Sequence, residues 1–234
     1  MITIRKSEER GHATHGWLDS RHTFSFANYY DPKQMGFRSL RVINEDRVAP
    51  GRGFGAHGHE NMEILSYVIE GSLAHKDNMG HQEVLGPNEI QRMSAGTGVM
   101  HSEFNPSNTD PVHFFQIWIE PATTGTPASY EQLRFDPAEK KGKLKLLASP
   151  HGGAGVAKIN QDAQVFVAEL AKGDEIAYPL RAQRHAWVHV VRGGVTLNGA
   201  TLNTGDAAAV DREKGIALAG VNAEPSEILL FDLA

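Results

Sequence analysis

The chain has 234 residues, enough for one large or two small domains with a buried core. Its net charge of -5 provides no bulk attraction for nucleic acid or an anionic membrane, and no stretch is apolar over the length of a membrane span. Cysteine is absent, which excludes disulfides, thiolate ligands and cysteine nucleophiles. The first ten residues lack the apolar region of a secretory signal. We therefore expect a cytoplasmic enzyme or binding protein with no nucleic-acid or membrane partner.

Short apolar or alternating segments, bounded by Gly, Pro, Asn and Asp, predict strands along most of the chain. The clearest candidates, in chain order, are 40–43, 63–69, 89–93, 112–120, 165–170, 187–191 and 228–233. Helical periodicity is scarce, and only residues 129–135 are assigned to a short helix. Many short strands at close spacing are typical of a β-barrel or β-sandwich, so the predicted fold is all-β.

The chain divides into two similar halves. Composition changes between residues 121 and 145, which places an N-terminal domain at 1–135 and a C-terminal domain at 136–234. Each half contains a strand, a glycine turn and a second strand, centred on Gly71 in the first half and Gly193 in the second. This repetition favours a duplicated barrel. The lysine-rich run 140–145 is interpreted as a solvated linker.

Two residue pairs carry the chemistry of metal binding. His57 and His59 are separated by one residue, and so are His101 and Glu103. Residues i and i+2 of a strand point to the same face, so each pair presents two ligands side by side. If the two strands are neighbours, three imidazoles and one carboxylate converge. Glu63 lies four residues after His59 and competes for the carboxylate role if that strand continues.

The surroundings of these pairs resemble a known family. Gly51-x5-His57-x-His59-x3-Glu63-x7-Gly71 is similar to the first motif of cupins, and Gly98-x2-His101-x3-Asn105 is similar to the core of the second. The segments HGHENMEILSYVIEG (57–71), MSAGTGVMHSE (93–103) and RGHATHGWLDSRHTFSFANYYDP (10–32) resemble pirin, most closely the bacterial pirin-like quercetinases. The resemblance implies a bicupin, with two jelly-roll barrels in one chain and a degenerate C-terminal barrel.

The resemblance also implies a ligand set and a reaction. Pirins use both histidines of the first pair, the later histidine and the following glutamate, here His57, His59, His101 and Glu103; other cupins would use Glu63. Fe(II) is the ion expected first, and Cu, Mn, Co, Ni or Zn also suit these ligands. The implied activity is a dioxygenase that opens the heterocycle of a flavonol such as quercetin with O2 and releases CO. Glu103, or less favourably Glu63, would accept the substrate's proton.

Two other functions remain open from the sequence. The same metal could serve a regulatory protein that binds a protein partner and has no physiological turnover. A cupin isomerase or small-molecule sensor with a zinc-like metal is the third hypothesis.

The remaining histidines are assigned structural roles. His12, His15 and His22 are expected in turns and inter-strand hydrogen bonds, and His75, His81 and His113 are interpreted as structural, without a partner histidine in the sequence. His185 and His189 share a strand face by parity but lack the HxH arrangement. The second-half positions that correspond to His59 and His101, counted from the turn glycines, are Arg181 and Gly220. No ligand pair occurs at either position. We therefore expect a metal-free C-terminal barrel.

Overall fold

The computed structural model describes residues 1–234, with 22 strands and two 3-10 helices of three residues each. Strands of the first half are β1 (Ile2–Arg5), β2 (Gly11–Thr14), β3 (Leu18–His22), β4 (Leu40–Val48), β5 (Gly53–His59), β6 (Glu63–Glu70), β7 (Leu73–Asp77), β8 (Gln82–Leu85), β9 (Glu89–Ser94), β10 (Val99–Phe104), β11 (Val112–Ile119) and β12 (Ser129–Arg134). Those of the second half are β13 (Lys145–Ser149), β14 (Ala157–Lys158), β15 (Ala163–Leu170), β16 (Glu175–Pro179), β17 (His185–Arg192), β18 (Gly194–Leu197), β19 (Ala200–Asn203), β20 (Ala207–Val210), β21 (Gly215–Gly220) and β22 (Ser226–Leu233). The 3-10 helices are Ser7–Glu9 and Pro137–Glu139. Neither helical segment qualifies as a membrane-spanning helix.

The first compact unit comprises Gly11–Phe135 and Pro150–Gln161. Its larger sheet has the strand order β12-β9-β6-β11-β4-β3-β2, and its smaller sheet has the order β5-β10-β7-β8. Apolar side chains of both sheets, including Val68, Leu73 and Phe114, form one buried cluster. The small sheet contains β5 and β10, which carry the two predicted ligand pairs.

The second compact unit comprises Met1–Arg10, Asp136–Ser149 and Asp162–Ala234. Six of its strands form one sheet in the order β1-β20-β17-β22-β15-β13, and four form another in the order β16-β21-β18-β19. The small sheets of the two units have equivalent strand orders, so the predicted duplication of a cupin-type barrel is confirmed. All seven segments assigned to strands from the sequence are also confirmed.

Two segments belong to a different compact unit from the one that a division between residues 135 and 136 would assign to them. The N-terminal strand β1 joins the second unit because it pairs antiparallel with β20, Ile2 lying opposite Val210. Residues 150–161 join the first unit, where the Asn160 amide donates to the Thr123 carbonyl over 2.9 Å.

Two local assignments from the sequence are wrong. Residues 129–135, assigned to a helix, mostly form β12, which pairs along its whole length with β9. This pairing overrides the helix propensity of Glu, Gln, Leu and Arg in the segment. Lys140, assigned to a solvated linker, is buried and forms an ion pair with Glu227 over 3.0 Å.

Candidate metal centre and its cavity

The two predicted ligand pairs lie on adjacent antiparallel strands. β5 pairs with β10 so that His57 lies opposite His101, and the register shifts between His101 and Glu103. Along β10 the odd-numbered His101 and Glu103 are buried, whereas Met100 is 46% exposed. The alternation expected of a strand therefore turns both members of the second pair inward, as predicted.

A glycine permits the close approach of these strands. A Cβ atom added at Gly53 would lie 2.1 Å from the carbonyl oxygen of Glu103, well inside van der Waals contact. Any side chain at this position would therefore push β5 away from the strand that carries His101 and Glu103.

Three imidazole nitrogens converge at one point. Nε2 of His101 is 3.0 Å from Nε2 of His59 and 3.1 Å from Nε2 of His57. Two nitrogens bound to one ion at about 2.1 Å and at right angles are about 3.0 Å apart. The spacing therefore fits three adjacent ligands of a single transition-metal ion, and the nitrogen donors suit such an ion.

Hydrogen bonds on the far side of the rings fix which nitrogen faces this point. Nδ1 of His57 donates to the Gly55 carbonyl over 2.8 Å, which leaves Nε2 with a free lone pair. His101 has a similar support: its Nδ1 is 3.4 Å from Nδ1 of His75, whose Nε2 contacts the Asp77 carboxylate at 3.2 Å. Asp77 thus orients His75, and His75 orients His101, the arrangement that commonly fixes metal-ligating imidazoles.

The electrostatics favour neutral imidazoles at this point. Burial, together with the nearby His57, lowers the pKa of His59 to about 4. Burial, assisted by the neighbouring histidines, lowers the pKa of His101 to about 3. Both rings are therefore neutral at physiological pH and can donate lone pairs to a cation.

Glu103 lies beside the three imidazoles but belongs to a second group of potential metal ligands. Its carboxylate clusters with His75 and His101, and it is not among the ligand atoms that converge with those of His57 and His59. Oε2 accepts a hydrogen bond from the Gln116 amide over 2.7 Å, and Oε1 accepts one from the Ser66 hydroxyl over 3.3 Å. Burial raises the pKa of Glu103 and thereby increases its proton affinity.

Glu63, the competing carboxylate, lies outside both groups. The premise that its strand continues from His59 is wrong, because β5 ends at His59 and β6 begins at Glu63. The Glu63 carboxylate accepts a hydrogen bond from Ser94 over 2.7 Å, and burial raises its pKa. Its position makes it part of the packing between β6 and β9.

A cavity of about 470 Å³ opens onto the imidazoles, and His57, His59 and Glu103 all line it. This volume is within the usual range of small-molecule sites. Its aromatic wall includes Phe26 and Trp118, which meet edge to face at 5.4 Å between ring centroids. Trp118 also lies 4.9 Å from the His59 ring, so an aromatic ligand would lie next to the imidazoles.

Part of the cavity lining is polar. Asn44 and Asp46 on β4 both line the cavity and are only 3% and 5% exposed. The Ser20 hydroxyl hydrogen-bonds to the Asp46 carboxyl. Burial, with help from nearby carboxylates including Glu103, raises the pKa of Asp46 to about 7.

Several cavity residues escaped the sequence interpretation. His12, His15 and His22 line the cavity, although His12 also makes an expected inter-strand contact with Asp19 at 3.2 Å. Their concentration in residues 10–32, a segment that resembles the family closely, was a usable signal. Asn44 and Asp46 carried no such signal, because an alternating polar pair inside a strand usually faces solvent.

The C-terminal unit differs from this arrangement. Both groups of three potential ligands belong to the N-terminal unit. In the C-terminal unit, Nδ1 of His185 contacts Asp211, and His189 is fully buried.

Known proteins resemble the chain over its whole length. Residues 3–119 match the family described as Pirin, and residues 146–233 match the family described as Quercetinase C-terminal cupin domain. A quercetin 2,3-dioxygenase of Escherichia coli K12 is 49% identical over 233 residues, covering 100% of this chain and 99% of the relative. The crystal structure of E. coli YhhW has a TM-score of 0.95 at 48% identity, covering 100% of this chain and 98% of that one. The structure of the bacterial pirin YhhW in complex with nickel(II) has a TM-score of 0.94 at 48% identity and covers 100% and 99% of the two chains.

Proposed function

The chain belongs to the pirin family and is a metal-dependent dioxygenase of that family, and on this premise we propose that it opens the heterocycle of flavonols such as quercetin with O2 and releases CO. The observation that carries the proposal is the convergence of three Nε2 atoms, 3.0 and 3.1 Å apart, on the wall of a cavity of about 470 Å³ with an aromatic side. The cavity accommodates a planar aromatic substrate, and the nitrogens suit a redox-active ion.

The proposed ligands are His57, His59, His101 and Glu103, and Fe(II) is the proposed ion. Such an ion, when bound, supplies Lewis-acid activation of an oxygen ligand and an electron path to dioxygen. The imidazoles are already neutral and held by hydrogen bonds on their far sides. Glu103 needs to move toward the imidazoles to join them, because its carboxylate now faces His75 and His101.

Glu103 is also the proposed base. It lines the cavity and its pKa is raised by burial, so it is better matched than an ordinary carboxylate to the proton of a substrate hydroxyl. Gln116 and Ser66 hydrogen-bond to its two oxygens and limit its rotation. The aromatic wall formed by Phe26 and Trp118 would hold the flavonol rings and exclude water from the reacting face.

The test measures oxygen-dependent loss of quercetin by protein loaded with different metals. Protein reconstituted separately with Fe, Mn, Co, Ni or Cu is mixed with quercetin without oxygen, and the flavonol absorbance is followed after oxygen is admitted. We expect rapid loss of absorbance with at least one metal and none after chelation. No turnover with any of the five metals would contradict the proposal and favour the regulatory function with a protein partner.

A further inference from the structure

Two polar residues interrupt the apolar inner faces of β6 and β11. Ser66 and Gln116 lie directly opposite each other in the pairing of these strands. The residues two positions before and after each of them pack in buried apolar clusters: Ile64, Val68, Phe114 and Trp118. An unsatisfied buried polar group costs about 1–3 kcal/mol, so a polar pair among apolar neighbours indicates a specific polar partner.

That partner is the buried carboxylate of Glu103, which projects from β10 of the small sheet. The Gln116 amide nitrogen donates to its Oε2 over 2.7 Å. Because an ionised carboxylate can only accept, this nitrogen must face Glu103, and the amide oxygen must face the other way. The amide oxygen lies 2.9 Å from Oγ of Ser66 and accepts its hydroxyl proton. Ser66 therefore holds the Gln116 amide in the orientation that Glu103 requires.

The Ser66 hydroxyl has one proton and two acceptors within reach. Its Oγ is 2.9 Å from Oε1 of Gln116 and 3.3 Å from Oε1 of Glu103. Hydroxyl hydrogen bonds are usually about 2.7–2.8 Å long, so the shorter contact takes the larger share of the proton. Oε2 of Glu103 is thus strongly bonded by the amide, whereas Oε1 is only weakly bonded. Oε1 keeps the lone pair that a metal ion or a substrate hydroxyl can use.

We propose that Ser66 and Gln116 act in series as positioning residues for Glu103: Ser66 orients the Gln116 amide, the amide holds Oε2, and Oε1 is left to contact the metal. The inference rests on the proposed role of Glu103 and extends that role to two residues that act through it. Hydrogen bonds that orient a metal ligand from its outer side are worth about 10- to 100-fold in metal affinity or activity.

The first test measures the Co(II) dissociation constant by competition with a chromogenic chelator. Ser66→Ala and Gln116→Met each remove one member of the series, and each should weaken Co(II) binding about tenfold. In the double variant, Ser66→Ala should cost no further affinity, because without Gln116 the Ser66 hydroxyl can bond only to the oxygen assigned to the metal. Each replacement is apolar and similar in size to the residue it replaces, and far-UV CD checks that each variant folds.

The second test separates positioning from packing by kinetics. In protein saturated with a metal that supports turnover, Ser66→Ala should lower kcat for quercetin about tenfold, the usual effect of one lost hydrogen bond. KM should stay within about twofold, because Ser66 does not line the cavity.

Ser94→Ala is the matched control for both tests. The Ser94 hydroxyl is also buried and donates to a buried carboxylate, that of Glu63, over 2.7 Å. Neither residue belongs to a group of potential ligands or lines the cavity. This variant loses the same kind of hydrogen bond and should keep the Co(II) affinity and kcat of wild type.

Wild-type Co(II) affinity in both Ser66→Ala and Gln116→Met would overturn the inference, and so would an equal loss in Ser94→Ala. A double variant about tenfold weaker than Gln116→Met would show that Ser66 supports Glu103 directly, which contradicts the series. The proposed function fails separately. If wild-type protein turns over no flavonol with any metal, the Co(II) affinities alone still uphold or refute the positioning of Glu103 by these two residues.

Discussion

At the scale of single residues, His75 supports the orientation of His101, a proposed metal ligand. It lies between Asp77 and His101, fully buried, and stacks on Tyr130 with ring centroids 4.9 Å apart. In His75→Phe the stacking partner remains but the acceptor for Nδ1 of His101 is lost. We expect metal affinity to fall about 10- to 100-fold, as is usual when a supporting group of a metal ligand is removed.

A matched control exists for this prediction. His81 also stacks on Tyr130 and also bonds to Asp77, but it does not contact His101. His81→Phe should leave the metal affinity, measured by competition with a chromogenic chelator, close to that of wild type. Equal losses in both variants would show that the effect comes from packing around Tyr130.

A second residue-scale prediction concerns pH. The pKa of Asp46 is about 7 in the folded chain against 3.8 in the unfolded one, so between these values the folded state binds more protons. The free energy of unfolding should therefore decrease as pH rises from about 4 to 7 and level off above that. The Asp46 contribution to this decrease amounts to at most ~4 kcal/mol, from about 1.4 kcal/mol per pH unit.

Asp46→Asn removes this proton and its pH dependence. Metal-free protein should show a gap between variant and wild type that grows in the variant's favour from pH 4 to pH 7, measured by denaturant titration. Parallel stability curves for the two proteins across this range would contradict the assignment.

The inward orientation of the proposed ligand pairs could be predicted from the sequence because the alternation of a strand is local. Two residues separated by one share a face whatever the rest of the fold does, so His57 with His59 and His101 with Glu103 followed from spacing. The contact between His75 and His101 depends on the pairing of β7 with β10, which places Glu103 opposite His75. No local pattern records that pairing, so His75 was assigned a structural role only.

At the scale of elements, the junction of β5 and β10 is the part of the fold on which the metal centre depends. Gly53→Ala should separate the strands, because the new methyl group would lie 2.1 Å from the Glu103 carbonyl oxygen. We expect a destabilisation of about 1–3 kcal/mol, typical of overpacking, with weakened metal binding.

Gly55 provides the comparison on the same strand. A Cβ atom there meets nothing within 4 Å, so Gly55→Ala should bind metal as wild type does. Thermal unfolding and metal titration of both variants check the prediction, and similar behaviour of the two would refute the steric role of Gly53.

Element prediction succeeded where strands are apolar and failed at an edge. The buried strands β6 and β11 have long apolar runs that could be recognised in isolation. The edge strand β12 is mostly half-buried and consists of residues that also suit a helix. Its conformation is set by pairing with β9, which the sequence of 129–135 does not encode locally.

At the scale of the whole molecule, duplication produced two barrels of similar topology but different chemistry. We expect one metal ion per chain, held by the N-terminal unit, because both clusters of potential ligands lie there. The double variant His57→Ala/His101→Ala should contain no stoichiometric metal by elemental analysis. A full equivalent of metal in this variant, or two equivalents in wild type, would contradict a metal-free C-terminal barrel.

The most direct measurement of the central claim is the stoichiometry of gas exchange during flavonol turnover. With metal-loaded wild-type protein, each quercetin consumed should be accompanied by one O2 taken up and one CO released. The exposed His151 lies outside the metal centre and its cavity, so His151→Ala should keep this stoichiometry and rate, whereas His59→Ala should lose both metal and turnover. Undiminished CO release by His59→Ala, or quercetin loss by wild type without CO, would contradict a flavonol dioxygenase centred on these three histidines.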